Sequence, residues 1–385
     1  MTSLAGQRVL VTGASGFIGG RVVERLVVEC GAHVRVAVRS VARAATLSRF
    51  PLEVTIADVR DRDALMRAVD GCDVVIHCAV GTDGTLRDRR AVDVDGTRNL
   101  LDAALRAGVS SCVHTSTVAV YDNPGSGVLD ETSPLTKSRD PYAVGKLEGE
   151  RVALGYAAQL PVTVIQPTTV YGPRAGVHGS AIISELASSR IPLVAQGEGI
   201  CNAVYIDDLV TAMLLAASSD RVRGERLLVS GSEYPTWREF YGAFERMLGV
   251  VRTVPMSEAE ALALWKQQSR RRGLVPDAWR IVRTDAELRR RLLETREGAV
   301  IRRIAERVLP ERVFAPERWA TEPEPDGNEL PIAAFKPEVV RTLASTTRVR
   351  IEKARTLLGY EPVFGLVDGM RLTEAWAKWA GLLPA

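Results

Sequence analysis

The stretch VTGASGFIGG, residues 11–20, decides the fold of this chain. It overlaps the β-branched run Arg8–Thr12 and leads into a segment whose apolar residues recur at helical spacing. Gly13, Gly16 and Gly19 stand three residues apart at this strand–helix junction. Such glycines allow a tight turn, a close approach of a pyrophosphate to the backbone, and close packing of the helix on the sheet. The stretch predicts a dinucleotide-binding turn, and the alternative is a glycine-rich turn without a ligand.

The first half of the chain continues this alternation of short apolar strands and helices. Strands are predicted at 33–38, 52–56, 73–77, 112–116 and 161–166, with helices at 41–49, 61–69, 92–107 and from Tyr142 onward. This order is typical of an α/β protein with a Rossmann-type, doubly wound parallel sheet. Beyond about residue 170 the rhythm loosens, with strands at 203–206 and 226–230 and helices at 207–218 and 236–248. We therefore expect a nucleotide-binding domain at 1–170, to which later strands and helices return, and a smaller C-terminal α/β substrate domain at 171–385.

An arginine-rich insertion with helical periodicity occupies residues 255–345, and between 266 and 318 it holds 15 Lys/Arg against 8 Asp/Glu. Two interpretations stay open for it. It is either a solvated amphipathic helical pair, or a cap over the active site or an oligomer contact. A helix ending near Trp379 is predicted to close the chain.

Bulk composition excludes several classes of protein. The net charge of +3 does not favour nucleic-acid binding. No apolar run reaches the roughly 18 residues that a membrane span needs. The five scattered cysteines indicate reduced thiols, and the four histidines lack metal-ligand spacing, so we expect no metal. The N-terminal residues do not resemble an export signal, and a cytoplasmic location is expected.

The segment DPYAVGKLEGE, residues 140–150, places Tyr142 four residues before Lys146. On a helix this spacing puts both side chains on one face. A phenol beside an ammonium is either an ordinary surface pair or an acid–base device. The glycine turn at the first strand favours the second interpretation.

Taken together, the motifs resemble the extended branch of the short-chain dehydrogenase/reductase superfamily. They are TGxxGxxG at 12–19, YxxxK at 142–146, DVDGTRNLL at 93–101, VHTSTVAVY at 113–121, PTTVYGP at 167–173 and VYIDDLV at 204–210. The resemblance implies that Tyr142 exchanges a proton with the substrate oxygen and that Thr117 orients this oxygen. It also implies that Lys146 lowers the tyrosine pKa and holds the nicotinamide ribose. A small-molecule substrate and a homodimer formed through the helices at 92–107 and 142–158 are implied as well.

The second strand ends at Arg39 and Ser40, without the acid that usually binds the ribose hydroxyls of NAD. A guanidinium and a hydroxyl there favour the additional phosphate of NADP. The alternatives are a solvated arginine and NAD as the cofactor. The expected cofactor-binding residues are Gly13, Ser15, Gly16, Phe17, Ile18, Gly19, Arg39, Ser40, Asp58, Val59, Cys78, Ala79, Val80, Tyr142, Lys146, Pro167 and Thr169.

Three positions near the predicted catalytic residues depart from the family pattern. Asp93 replaces a frequent asparagine, which is either a tolerated structural replacement or a change to a water relay behind the lysine. Val118 and Ala119 stand where dehydratases carry an Asp-Glu pair and where decarboxylases place a glutamate. Neither side chain is an acid, which argues against both eliminations.

Two further positions concern the substrate. Cys201 and Gln166 stand where nucleotide-sugar epimerases usually carry arginines. This weakens the assignment to nucleotide sugars without excluding it, since the basic insertion offers other phosphate ligands. The residues expected to contact the substrate are Ser116, Thr117, His178 and Asn202.

These observations predict an NAD(P)-dependent oxidoreductase that transfers hydride at a hydroxyl or ketone carbon of a sugar-like or secondary-metabolite substrate. A nucleotide-sugar epimerase that retains NAD is the alternative. A non-catalytic dinucleotide sensor is the third possibility, and such proteins usually lose the tyrosine or the lysine that this chain keeps.

Overall fold

A computed structural model describes residues 4–81, 85–271 and 330–383 of the chain, without the side chains of 270 and 271. The strands are β1 Arg8–Thr12, β2 His33–Val38, β3 Glu53–Ile56, β4 Val74–His77, β5 Ser111–Thr115, β6 Val128–Leu129, β7 Val162–Pro167, β8 Thr169–Tyr171, β9 Ile191–Val194, β10 Ala203–Tyr205, β11 Arg226–Val229, β12 Thr253–Met256 and β13 Arg348–Val349. The α-helices are α1 Phe17–Val28, α2 Val41–Ala44, α3 Arg62–Val69, α4 Leu86–Arg90, α5 Thr97–Ala107, α6 Pro141–Gly155, α7 Ala181–Ser188, α8 Ile206–Ala217, α9 Trp237–Leu248, α10 Glu258–Arg271, α11 Pro337–Ala344, α12 Glu352–Leu358 and α13 Leu366–Trp379.

Seven parallel strands form the central sheet in the order β3-β2-β1-β4-β5-β7-β11. Sequence order runs outward from β1 in both directions, which is the doubly wound arrangement. This confirms the predicted Rossmann-type sheet. Because all seven strands are parallel, the loops after them meet at one edge. The predicted cofactor segments with Gly13, Arg39, Asp58 and Cys78 follow β1, β2, β3 and β4 at this edge.

Except at its edge strand β3, the sheet is buried on both faces because its side chains alternate between two apolar cores. Val9 and Val11 of β1 belong to a core with Leu26 of α1 and Leu209 of α8. Leu10, between them, belongs to the opposite core with the apolar residues of α3 and α5. Near-continuous apolar runs such as those of β4 and β7 are what a parallel sheet covered on both sides requires.

Outside the sheet, three short parallel pairs connect distant parts of the chain: β8 with β10, β9 with β12, and β6 with β13. Beside the third pair, Asn123 Oδ1 accepts hydrogen bonds from Ser345 Oγ at 2.9 Å and Thr347 Oγ1 at 3.0 Å. The segment before α12 is thereby fastened to the loop that follows β5.

The helical predictions need three corrections. The predicted helix at 41–49 is the short α2, continued by a 3₁₀ turn over Ala45–Leu47. The predicted helix at 92–107 contains a π-helical segment, Ala91–Gly96, between α4 and α5. The predicted insertion begins with a strand, since β12 pairs with β9, and its described helices are α10 and α11. Residues 272–329 of that insertion lie outside the described residues.

None of the helices within the described ranges combines the length and apolarity that crossing a bilayer needs. All five cysteines are free thiols. The described part of the chain holds no group of three metal-ligating side chains.

Candidate active site

The glycine turn after β1 fits an anion. Gly16 is the N-cap of α1, no side chain caps the helix, and no acid lies in its first turn. The first-turn N–H groups therefore face outward without a competing carboxylate. Gly13 has φ +68°, and a Cβ there would lie 2.6 Å from Ala79 N. A Cβ on Gly19 would overlap the Gly13 carbonyl, so the turn keeps its shape only with glycine at both positions.

Basic side chains surround the predicted adenosine end of the site. Arg39 and Ser40 are exposed directly after β2. Asp58, after β3, accepts two hydrogen bonds from the Arg60 side chain, at 2.9 Å from Nε and 2.7 Å from Nη2, and one from the Arg60 backbone N–H at 2.9 Å. The Arg60 hydrogen bond lowers the pKa of Asp58, and the Arg39 charge contributes. Arg60 was not predicted from the sequence, although it stands only two residues after the predicted adenine-contacting Asp58.

The loops after β4 and β5 meet at Cys78. Its Sγ accepts a hydrogen bond from Thr115 Oγ1 at 3.5 Å, and Cys78 abuts the glycine turn at Gly13. Burial raises the pKa of Cys78 to about 11, while the Lys146 charge opposes this rise. Cys78 is therefore a neutral thiol that lies between the glycine turn and the lysine. Ala79 is half-buried and Val80 is 39% exposed, so they continue this wall toward solvent.

Helix α6 presents the tyrosine and the lysine. Asp140 caps the helix by accepting a hydrogen bond from Ala143 N at 3.1 Å, and Pro141 occupies the first turn, where its missing N–H costs nothing. Tyr142 lies at the start of α6 and is 36% exposed, whereas Lys146 is 5% exposed. The cap and the proline fix the start of the helix, and the spacing of four then carries Lys146 one turn deeper.

Lys146 is held against the end of β5. Its Nζ donates a hydrogen bond to the carbonyl oxygen of Thr115. Burial lowers the pKa of Lys146, and the charge of Asp93 is the largest effect that opposes this. Lys146 therefore depends on nearby acidic groups to stay charged.

Thr117 faces the phenol of Tyr142. It is 7% exposed, and its Oγ1 accepts a hydrogen bond from Ala119 N at 3.2 Å. Burial of the hydroxyl end raises the pKa of Tyr142, and hydrogen bonding with Thr117 opposes the rise. The chain alone thus keeps the phenol protonated at neutral pH, in contrast to the expected depression by Lys146. A protonated phenol is the form that donates to a ketone oxygen.

A buried polar network centred on Glu150 lies next to this site. Glu150, fully buried, accepts hydrogen bonds from Ser116 Oγ at 2.6 Å and Gln166 Nε2 at 2.8 Å, and it pairs with Arg226. Tyr121 OH donates to Gln166 Oε1 at 2.9 Å. Ser116, predicted as a substrate contact, instead donates its hydroxyl to Glu150. Glu150 was not predicted from the sequence, although it stands four residues after Lys146.

Two other predicted substrate contacts are also engaged within the protein. The Asn202 amide donates to Thr347 O and accepts from Val349 N, both at 2.9 Å, so it fastens the β13 segment. The His178 ring lies 6.5 Å from the ring of Phe240, centroid to centroid, and burial lowers its pKa to about 4. His178 is therefore neutral at pH 7 and Asn202 has little hydrogen-bonding capacity left.

The remaining predicted cofactor residues lie at the same sheet edge. Pro167 ends β7 beside Val229 of β11, and Thr169 begins β8, where its N–H donates to Asn202 O at 2.9 Å. The structure thus brings Thr117, Tyr142 and Lys146 together beside Cys78. The glycine turn adjoins Cys78, and the Arg39 and Asp58 loops follow the next strands.

The class of dinucleotide-dependent short-chain dehydrogenases and reductases is defined by two features. One is a Rossmann-type sheet with a glycine turn at its carboxyl edge, and the other is a tyrosine and a lysine on the helix beside that edge. The model of the NAD dependent epimerase/dehydratase family matches residues 9–229. The chain belongs to this family.

Known proteins share the sequence and the fold. Sterol demethylase protein B of Methylococcus capsulatus is 32% identical over 276 residues, which cover 68% of this chain and 82% of that protein. UDP-glucose 4-epimerase of Mycolicibacterium smegmatis is 33% identical over 265 residues, 63% of this chain and 83% of that protein. The structure of UDP-glucuronic acid 4-epimerase from Bacillus cereus in complex with NAD superposes with a TM-score of 0.66 at 20% identity, covering 97% and 99% of the two chains.

These findings confirm the predicted class: the chain is an NAD(P)-dependent enzyme of the extended short-chain dehydrogenase/reductase type. Reductase and epimerase activities are both compatible with this membership.

Proposed function

We propose that the protein is an NADP-dependent reductase that transfers hydride to a ketone carbon, and in reverse oxidises the alcohol. The observation that carries the proposal is the Tyr142 phenol, which faces Thr117 and precedes the buried Lys146 by one helical turn. A bound dinucleotide supplies the hydride. Thr117 donates a hydrogen bond that orients the substrate oxygen, and Tyr142 gives this oxygen its proton.

The residues for the cofactor fit its chemical groups in order. The uncapped first turn of α1, with Ser15, Gly16, Phe17 and Ile18, takes the pyrophosphate. Cys78, Ala79, Val80, Pro167 and Thr169 line the nicotinamide end, and Lys146 holds its ribose. Asp58 and Val59 take the adenine.

The choice of NADP rests on charge at the adenosine end. Arg39 and Arg60 supply two guanidinium groups there, and Ser40 adds a hydroxyl. The carboxylate of Asp58 is neutralised by Arg60. An additional phosphate is favoured by such a set, whereas the ribose hydroxyls of NAD would find no free carboxylate among these residues. NAD, which is bound in the structure of the Bacillus cereus epimerase, is the alternative.

We further propose a sugar-like or secondary-metabolite carbonyl compound as the substrate. The two positions where epimerases usually carry arginines are buried and neutral here: Gln166 is committed to Glu150 and Tyr121, and Cys201 is fully buried. Neither offers a charge to a nucleotide diphosphate. The similarity to a protein named for sterol demethylation supports substrates other than nucleotide sugars.

An epimerase that retains NAD is the second candidate, because UDP-glucose 4-epimerase of Mycolicibacterium smegmatis is equally similar in sequence. Such an enzyme oxidises its substrate, lets the ketone reorient, and reduces it again without releasing cofactor. A dinucleotide sensor is the third candidate. The proposal also includes a boundary near residue 170 between the nucleotide-binding and substrate domains. It further includes a homodimer formed through α5 and α6, and a cytoplasmic location.

The first experiment identifies the nucleotide. The purified protein is denatured, any released nucleotide is identified by mass spectrometry, and the emptied protein is titrated with NADPH and NADH. A preference for NADPH of at least about tenfold, on the order of 1.4 kcal/mol, supports the reductase. Tightly retained NAD would instead favour the epimerase, and Arg39 would then not bind the additional phosphate of NADP.

The second experiment separates enzyme from sensor. Tyr142→Phe should lower turnover of a ketone substrate at least about a hundredfold, because it removes the positioned acid. Tyr234→Phe is the matched control, since Tyr234 is 37% exposed and its hydroxyl donates a hydrogen bond to the backbone carbonyl of Val349 at 3.3 Å. Equal turnover by the two variants contradicts the catalytic assignment.

A further inference from the structure

Arg174 is an exposed cation in the loop that follows β8. The backbone N–H of Ala175 donates a hydrogen bond to Gly172 O at 3.0 Å, which closes a four-residue turn with Pro173 and Arg174 at its centre. Proline keeps φ of the first central residue negative, whereas φ of Arg174 is +69°. This combination defines a type II turn, in which glycine is the usual second central residue. The arginine therefore occupies a backbone position that favours a residue without a side chain.

The side chain of Arg174 reaches the glycine turn after β1. A Cβ added to Gly20 would lie 3.8 Å from Arg174 Nη1. Gly20 closes the first turn of α1, since its N–H donates to the carbonyl oxygen of the N-cap Gly16 at 2.9 Å. The guanidinium therefore lies beside the same helical turn that is proposed to take the cofactor pyrophosphate, and the glycine at position 20 leaves room for it.

The guanidinium of Arg174 has no counter-charge within the described part of the chain, where its side chain forms neither a hydrogen bond nor an ion pair. The acids of the adjoining helices are already engaged by another arginine. Arg21 Nη2 donates to Asp207 of α8 at 2.9 Å, and Arg21 Nη1 lies 3.1 Å from Glu24 of α1. A guanidinium and the outward N–H groups of α1 thus adjoin one another without a carboxylate to balance them. Such an arrangement attracts an anion.

We propose that Arg174 is a ligand of the cofactor pyrophosphate and acts together with the first turn of α1. The inference rests on the proposed cofactor site and adds to it a residue from the loop after β8. A guanidinium offers paired N–H donors that match two phosphate oxygens. Because Arg174 lies beyond the proposed domain boundary near residue 170, the bound dinucleotide links the substrate domain to the nucleotide-binding sheet.

The test uses Arg174→Gly, which removes the charge and gives the type II turn its usual residue. Arg223→Ala is the matched control, because Arg223 is also exposed and without a partner in the described part of the chain, but precedes β11 at the opposite edge of the sheet. The probe is ADP-ribose, the part that NAD and NADP share apart from the additional phosphate. Its dissociation constant is measured by calorimetry, without substrate.

We expect Arg174→Gly to bind ADP-ribose at least about tenfold more weakly than wild type, and Arg223→Ala to stay within about twofold. Equal affinities of wild type and Arg174→Gly would overturn the inference and leave the proposed cofactor site intact. An equal loss in both variants would also overturn it, because the effect would then come from net charge. Failure of the wild type to bind ADP-ribose would refute the proposed cofactor site and the inference with it.

Urea unfolding separates a lost ligand contact from a damaged fold. Because glycine suits a positive φ, the urea midpoint of Arg174→Gly should be close to or above that of wild type. Weaker binding by a variant with such a midpoint belongs to the contact with the ligand. Arg174→Asn is the second variant, since asparagine also tolerates a positive φ, and it should show the same loss of affinity if Arg174→Gly does not fold.

Discussion

Replacing Gly149 by alanine should destabilise the protein, although alanine is the better helix former. Gly149 lies in α6 and packs on the π-helical segment, where an added Cβ would overlap Asp93 O and lie 3.2 Å from its carbonyl carbon. The same carbonyl accepts the Thr97 hydroxyl at 2.7 Å, and Thr97 is fully buried. The obstacle is backbone in a buried position, so no flexible side chain can move aside.

The expected size follows from two opposed effects. Alanine gains about 0.5–1 kcal/mol over glycine within a helix. Overpacking against a fixed partner costs about 1–3 kcal/mol. The net result is a loss of about 1–2 kcal/mol in the free energy of unfolding. Gly155 ends the same helix, is exposed, and has nothing within 4 Å of an added Cβ, so Gly155→Ala should stabilise by up to about 1 kcal/mol.

Urea unfolding at 25 °C, followed by circular dichroism, measures both variants against wild type. The prediction is an order: Gly155→Ala above wild type and Gly149→Ala below it. If Gly149→Ala is as stable as wild type, the close packing of α6 on the backbone of Asp93 does not exist as described.

Three further predictions follow from charges. Arg39→Ala should weaken NADPH binding at least about tenfold and leave NADH binding unchanged in fluorescence titrations; equal losses for both would remove the phosphate contact. Arg226→Met should cost about 3 kcal/mol in urea unfolding, because Glu150 is left buried and charged, and adding Glu150→Gln should restore most of it. Burial lowers the pKa of His77 to about 3, so the unfolded chain binds the extra proton below pH 6.5. The contribution of His77 to stability is thus complete above pH 6.5 and falls toward pH 3, by about 2 kcal/mol at pH 5. His178 and His114, whose pKa values are also lowered by burial, add to this acid loss. His77→Gln should therefore reduce the loss at pH 5 by about 2 kcal/mol, and an unchanged loss would place the acid sensitivity at other groups.

The central sheet was predictable because its signals are local. Each strand is a short apolar run, and the glycine turn fixes how β1 joins α1. The pairing of Tyr142 with Lys146 was also predictable, since helical spacing alone determines it. The structure places these residues on one helix at the carboxyl edge, as the pattern indicates.

The sequence pattern missed features that depend on contacts between distant segments. In the sequence, Glu150 is one acid among the polar residues of a helix. Only the folded chain shows that Ser116, directly after β5, and Arg226 of β11 both contact it. The π-helical segment Ala91–Gly96 could not be predicted, because its hydrophobic spacing does not differ recognisably from that of the α-helices on either side. Asn202 resembled a substrate ligand because nothing local shows that its amide binds residues 347 and 349.

The fastening of Ser345 to Asn123 has a consequence for how the protein is made. The two residues are separated by 222 positions in the chain. At about 5–20 residues per second, the ribosome takes roughly 10–45 s to travel between them. During that interval the loop that follows Thr117 has been synthesised, but the residues that hydrogen-bond to its Asn123 have not. The nascent chain therefore completes its nucleotide-binding sheet well before the neighbourhood of its reactive hydroxyls, and a chaperone that delays release would protect this late step rather than the first one.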